Sequence, residues 1–142
     1  MLRRNLLALA GVLPLSLAGA HAEAARDAKV VYHLADLDKV DFVLGNIRNH
    51  FAGMGGPANV TIALVVHGPA LKAFHRADAT PAVTERAAEL GKSGLQMHAC
   101  INTMRAQNVT LQELLPGFVI ADKGGVVRLA QLQAQGYLYL RP

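Results

Sequence analysis

The chain of 142 residues contains a single cysteine, Cys100, and this residue is the strongest candidate for chemistry. It ends the apolar run Leu95 to Cys100 (LQMHAC), where a predicted strand gives way to a short helical turn. Backbone N–H groups at the start of a helix favour an anion, so they lower the pKa of a thiol placed there. Because the thiolate is the nucleophile, this position predicts a reactive and exposed cysteine. The alternative is a small apolar side chain that ends a buried strand.

Polar residues that can act on a thiolate follow Cys100 within the predicted helical turn. Asn102 and Thr103 can donate hydrogen bonds to a thiolate or to a molecule bound beside it. Arg105 can add positive charge. We therefore predict these three residues as neighbours of a site centred on Cys100.

His98 lies two residues before Cys100, so on a strand the two side chains face the same way. With His67 from a neighbouring strand end, they form a possible soft site for copper(I) or zinc. The spacing is not diagnostic of a metal site, and His98 also fits a core residue with one hydrogen-bonded nitrogen. Metal or small-ligand binding therefore remains an alternative function.

Short apolar runs alternate with segments of helical periodicity over most of the chain. Helices are predicted at Leu37 to Phe51, Thr80 to Leu90, Asn102 to Gln107, and from Gly125 to a stop at Gly136. Strands are predicted at Lys29 to Leu34, Val60 to Val66, Leu95 to Cys100, Phe118 to Ala121, and Tyr137 to Leu140.

This alternation predicts an α/β fold of the flavodoxin-like type, a mainly parallel five-stranded sheet with helices on both faces. In such sheets ligand sites form at the carboxyl ends of the strands. That rule brings three stretches to one edge of the sheet: His33 onward, His67-Gly68, and Cys100 onward.

The N-terminus has the layout of a secretory signal peptide. Arg3 and Arg4 precede the apolar run Leu6 to Leu17, and Ala20-His21-Ala22 is a small-x-small cleavage site. The run is about a dozen residues, whereas a membrane span needs roughly 20. We predict a signal peptide at residues 1–22, a single domain at residues 23–142, and a periplasmic location. The general secretory route and the twin-arginine route both remain open.

The composition excludes several classes of function. Of 14 basic residues two leave with the signal peptide, so 12 remain against 10 acidic ones, and no basic cluster suggests a nucleic-acid surface. No phosphate-binding loop or hydrolase nucleophile motif is present, and no cofactor is expected. The chain is 52% hydrophobic and only 17% charged, which predicts an apolar contact surface between subunits.

Five segments together resemble the DsrE/DsrF-like sulfur-relay family, in particular its small exported members. The segment around Cys100 carries the resemblance most strongly. The full set is VVYHL from Val30, NIRNH from Asn46, VVHGP from Val65, ACINTMR from Ala99, and LQAQGY from Leu132.

The resemblance implies a flavodoxin-like fold assembled as a homotrimer or homohexamer. It also implies that the cysteine at the position of Cys100 accepts sulfur as a persulfide and passes it to a partner. His67, Asn102, Thr103 and Arg105 match the surrounding motif and are implied to be site neighbours.

Three hypotheses follow for the function of the chain. The leading one is a periplasmic sulfur-handling protein in which Cys100 carries a persulfide between donor and acceptor proteins or small thiols. The second is a non-enzymatic oligomer that binds a metal ion or a small ligand near His98 and Cys100. The third is a structural role in which Cys100 is merely packed.

Overall fold

The computed structural model describes residues 28–142, which form a sheet of five parallel strands. The predicted signal peptide lies outside the described residues. Within residues 28–142, no helix is both long and apolar enough to span a membrane. The strands are β1 (Ala28–Leu34), β2 (Val60–Val66), β3 (Gln96–Cys100), β4 (Phe118–Ala121) and β5 (Leu138–Leu140).

Four α-helices and four short 3-10 segments connect the strands. Thr80 accepts a hydrogen bond from the Val83 N–H at 3.2 Å and caps the second helix, as its position before Pro81 predicts. The predicted helix from Leu37 is split, because a 3-10 turn at Leu37–Lys39 precedes its α-helical part. The α-helices are α1 (Val40–Gly53), α2 (Pro81–Lys92), α3 (Ile101–Ala106) and α4 (Gly125–Ala134). The other 3-10 segments are Pro57–Asn59, Gly68–Phe74 and Leu111–Glu113.

Helices cover both faces of the sheet, so the predicted fold class is confirmed. Helices α1 and α2 bury the larger apolar cluster against one face. On the other face α4 packs Leu129 and Leu132 against Val31, Ala63 and Val65. One face is therefore covered by a single helix of ten residues, which leaves the carboxyl ends of the strands beside the start of that helix.

The strand order is β4-β3-β2-β1-β5. Strands β1 to β4 follow one another across the sheet, and β5 then pairs on the free side of β1. The chain reverses its direction of winding at this point, and ligand crevices in open α/β sheets form at such reversals. The register also aligns Val66 with Ala99, which places His67 beside Cys100 at the ends of β2 and β3.

Candidate functional site

Cys100 is the N-cap residue of α3. The first residue of α4, Gly125, lies directly over it. A Cβ atom added to Gly125 would lie 3.3 Å from the Cβ of Cys100 and 3.2 Å from the Cβ of His67. The thiol therefore lies where the starts of two helices meet. The expectation that the strand end exposes it is wrong, since Cys100 is only 5% exposed and Gly125 packs against it.

The surroundings of Cys100 favour the thiolate. Burial alone raises the pKa of the thiol, but the backbone N–H of Thr103, the N–H of Gly125, the Thr103 hydroxyl and the N–H of Asn102 outweigh burial. The net pKa of Cys100 is lowered. Two of these N–H groups belong to α3 and one to α4, so the effect depends on both helices meeting at the sulfur.

The Thr103 hydroxyl is held in place by a hydrogen-bond chain. The N–H of Gly68 donates to Thr103 Oγ1 at 2.9 Å, which leaves the hydroxyl proton free to face the sulfur. Gln107 donates from Nε2 to the Gly68 carbonyl at 3.0 Å. Gln107 Oε1 in turn pairs with His75 Nε2 at 2.8 Å. The orientation of Thr103 therefore depends on a chain that begins outside the site.

Replacing Thr103 by valine is expected to raise the pKa of Cys100 by up to about one unit, because a hydrogen bond to a charged group is lost. The alkylation rate of Cys100 at pH 7 then falls by up to about tenfold. The rate is measured with iodoacetamide across pH. Thr84→Val is the control, since the Thr84 hydroxyl donates only to the carbonyl of Thr80, the N-cap residue of α2, at 3.0 Å. Equal pH profiles for both variants would contradict the role given to Thr103.

His67 belongs to a second chain of side chains beside Cys100. His33 Nε2 and His67 Nε2 share a hydrogen bond, and His33 Nδ1 bonds the Tyr139 hydroxyl at 2.6 Å. The two imidazole planes differ by 19° and their centroids are 4.7 Å apart. His33 of β1, Tyr139 of β5 and His67, which directly follows β2, thus form one connected chain of side chains at the point where the sheet reverses its winding.

His33 and His67 are both neutral at pH 7. Burial, the neighbouring His67 and the Arg141 guanidinium lower the pKa of His33 to about 4, against the opposing effect of Asp36. Burial and Arg141 also lower the pKa of His67, again opposed by Asp36. Each ring therefore carries one N–H donor and one acceptor nitrogen.

The other predicted site residues lie at different distances from the thiol. Asn102 is exposed, and its amide nitrogen lies 2.9 Å from where a Cβ on Gly124 would be. Arg105 is exposed in the last turn of α3 and is not among the groups that shift the pKa of Cys100. The positive charge of Arg105 therefore does not contribute to the lowered pKa of Cys100, contrary to the prediction.

His98 is buried one step below Cys100 on the same face of the sheet, and its Nε2 has no hydrogen-bond partner. Burial, with a smaller effect of Arg128, lowers its pKa to about 4. Across residues 28–142 no three His, Cys, Asp or Glu side chains are grouped so as to hold a metal ion. The predicted set of His67, His98 and Cys100 is thus not assembled as a metal site, and His98 is a neutral core residue.

Neutral burial of His98 predicts a stability that depends on pH. An unfolded histidine titrates near 6.5, and folded His98 near 4, so the unfolded state binds more protons between these values. The free energy of unfolding is therefore expected to fall as the pH drops from 7 to 5. Urea titrations at both pH values measure it, and His98→Leu should show a smaller fall. Identical falls in the two proteins would contradict this assignment.

Sequence reasoning missed two parts of the site. It placed His33 at the correct edge but did not include it, and it did not identify Tyr139. Gly125 is predicted only as the start of a helix. The rule that strands end at one edge was the available signal for His33. Nothing local in the sequence shows that Tyr139 pairs with β1 or that α4 begins over Cys100.

Comparison with known proteins places the chain among related folds. The sequence model of the DsrE/DsrF-like family matches residues 17–142, which includes all five segments that carry the resemblance. MTH1491, a protein of unknown function from Methanobacterium thermoautotrophicum, has a similar structure with a TM-score of 0.72 and 28% sequence identity. That match covers 82% of this chain and 100% of MTH1491.

A more distant structural neighbour is the ychN protein from E. coli. Its TM-score is 0.63 at 16% sequence identity, over 82% of this chain and 99% of the ychN chain. At this identity the likeness establishes the fold alone. No curated protein matches the chain.

Proposed function

Because the chain belongs to the DsrE/DsrF-like family, we propose that it is a sulfur-relay protein that carries a persulfide on Cys100. Membership of the family itself suggests a sulfur-relay role together with partner proteins. The observation that supports Cys100 as the carrier is its lowered pKa at the meeting point of α3 and α4. An inert core thiol in an apolar pocket would have a raised pKa instead.

The proposed chemistry is two thiol–persulfide exchanges and needs no oxidant or reductant. In the first, the Cys100 thiolate attacks the outer sulfur of a donor persulfide, R–S–SH. A new S–S bond forms on Cys100 and the S–S bond of the donor breaks, so that RS⁻ leaves with the electron pair. In the second, an acceptor thiolate attacks the outer sulfur on Cys100, and Cys100 leaves as a thiolate.

Intact-mass spectrometry of the full chain after incubation with inorganic polysulfide tests this proposal. We expect a gain of one sulfur atom, located on the peptide that contains Cys100 and removed by dithiothreitol. An established persulfide carrier treated in parallel shows that the conditions load a thiol. No gain in mass on this chain, with the carrier loaded, would exclude the relay function.

We also propose that the chain is exported to the periplasm and cleaved after Ala22. The support is the arrangement of Arg3-Arg4, the apolar run and the small-x-small site in the sequence. Fractionation and N-terminal sequencing test it, and the mature protein should begin at Glu23. Replacing Arg3 and Arg4 by lysine separates the two export routes, since only the twin-arginine route is expected to lose its substrate.

A homotrimer or homohexamer is proposed for the assembled protein. Large apolar side chains are exposed on β4, α4 and β5, and such surfaces commonly mark interfaces. Light scattering at micromolar concentration measures the mass in solution, and a monomer would contradict the proposal. The side chains in question are Val119, Ile120, Val126, Val127, Leu138, Tyr139 and Leu140.

A further inference from the structure

The His67–His33–Tyr139 chain lies beside Cys100 but does not stabilise its thiolate. The groups that lower the pKa of Cys100 come from Asn102, Thr103 and Gly125, and none comes from this chain. Yet His67 and Cys100 both pack against Gly125, so their Cβ atoms are no farther apart than the sum of two contact distances. These three side chains are therefore close to Cys100 but do not stabilise its thiolate when no sulfur is carried.

We propose that the His67–His33–Tyr139 set of side chains donates a hydrogen bond, through His67, to the outer sulfur of a persulfide on Cys100. This hydrogen bond stabilises the carried sulfur as an anion. The inference rests on the proposed function, and it assigns roles to His67, His33 and Tyr139 in that function. His67 contacts the carried sulfur. His33 and Tyr139 act through His67 and are positioning residues.

The outer sulfur needs a donor of its own. An S–S bond of about 2.05 Å separates it from the Cys100 sulfur. It therefore lies beyond the first sulfur and away from the N–H groups that face that atom. A charged sulfur in a largely buried site is costly unless a donor accompanies it. On this face of the sheet His67 lies level with Cys100 at the end of the neighbouring strand, whereas His98 lies one step below it in the core.

Two arrangements of protons fit the hydrogen bonds of the His67–His33–Tyr139 side chains, and the proposal uses the one in which the Tyr139 hydroxyl is the first donor. When the Tyr139 hydroxyl donates to His33 Nδ1, the proton of His33 lies on Nε2 and is donated to His67 Nε2. The proton of His67 must then lie on Nδ1. Nδ1 is bonded to Cγ, which lies 3.5 Å from a Cβ placed on Gly125, the glycine that also contacts Cys100. In this arrangement the free donor is the nitrogen next to Cγ, on the side of the ring that joins the Cβ atom near Gly125.

Charged groups near the chain also come from two other segments. Arg141 follows β5 and Asp36 follows β1, and their side chains pair with each other at 3.4 Å. Arg141 opposes protonation of both histidines and Asp36 favours it. Because burial is the largest effect on both pKa values and lowers them, both rings are neutral at pH 7. The donor is therefore a neutral N–H.

Titration of the loaded protein tests this inference. The full chain and its His67→Gln, His33→Gln and Tyr139→Phe variants are loaded with polysulfide, and the ultraviolet absorbance of the persulfide anion is followed across pH. We expect His67→Gln to raise the persulfide pKa by about one unit, as loss of a hydrogen bond to an anion does. Smaller increases are expected for His33→Gln and Tyr139→Phe.

The control is His50→Gln, which removes a similar histidine–tyrosine pair, His50 Nδ1 with the Tyr32 hydroxyl at 2.9 Å. It should leave the persulfide pKa unchanged. The thiol pKa of unloaded Cys100 should stay the same in every variant. A general disturbance of the structure around Cys100 would shift this pKa as well. Tyr139 is 41% exposed, so Tyr139→Phe is expected to fold even where a histidine variant does not.

Two results would overturn the inference. One is a persulfide pKa that has the same value in the loaded wild-type protein and in all the loaded variants. The other is a shift of the unloaded thiol pKa as large as that of the persulfide. Failure of the wild-type protein to load at all would instead remove the proposed function, and the inference with it, so the two failures are distinguishable.

Discussion

Replacing Cys100 by serine is expected to abolish sulfur uptake completely, because the chain has no other thiol. A serine hydroxyl stays protonated at neutral pH and cannot form a persulfide. The fold should remain, since serine is only slightly smaller and its hydroxyl can pair with the N–H groups that face the sulfur. We expect a cost of about 1 kcal/mol in the free energy of unfolding. Intact mass after polysulfide treatment and a urea titration measure the two effects.

A matched control shows whether any thiol on this protein would load. Ser93 follows the C-terminus of α2, where the helix dipole disfavours a thiolate. In the Cys100→Ser background, Ser93→Cys is expected to gain sulfur much more slowly at pH 6 than wild-type Cys100. Sulfur uptake by the Cys100→Ser protein, or equal uptake rates for the two thiols, would show that the surroundings of Cys100 do not promote sulfur uptake.

Replacing Gly125 by alanine is expected to damage both stability and reactivity. The new Cβ would lie 3.2 Å from the Cβ of His67 and 3.3 Å from that of Cys100, and these atoms move only with the backbone. We expect a loss of about 1–3 kcal/mol in the free energy of unfolding, the usual cost of overpacking. The start of α4 must also shift, which weakens the effect of the Gly125 N–H and raises the pKa of Cys100.

Gly91→Ala is the control for this variant. Gly91 lies in α2 with no atom within 4 Å of a Cβ placed on it. Alanine there should change the free energy of unfolding by less than about 1 kcal/mol, in the stabilising direction. Urea titration and the pH dependence of alkylation compare the two proteins. A Gly125→Ala protein as stable and as reactive as Gly91→Ala would show that α4 does not constrain the site.

These expectations have a common physical origin in how the thiol is placed. Cys100 is 5% exposed, yet its pKa is lowered rather than raised. Burial opposes ionisation, so the N–H groups of two helices must more than offset it. A covered but ionisable thiol suits the exchange of single sulfur atoms with small or slender donors. It also limits reaction with bulky disulfides.

Local patterns in the sequence were sufficient to predict the elements and the position of Cys100. Apolar runs such as Val60 to Val66 and helical spacing from Leu37 to Phe51 depend only on residues close in the chain. The same holds for the strand-to-helix junction at Cys100, which is present. The fold class follows, because alternating buried strands and helices have few ways to cover a parallel sheet.

The tertiary structure alone decided what surrounds the sulfur. The same elements are compatible with several strand orders, and only pairing of β5 with β1 brings Tyr139 to His33. Likewise, only the packing of α4 on β1 to β3 places Gly125 over Cys100 and covers a thiol that the sequence suggested was exposed. These contacts join residues far apart in the chain. Their geometry comes from the packing of whole faces, which short-range patterns do not encode.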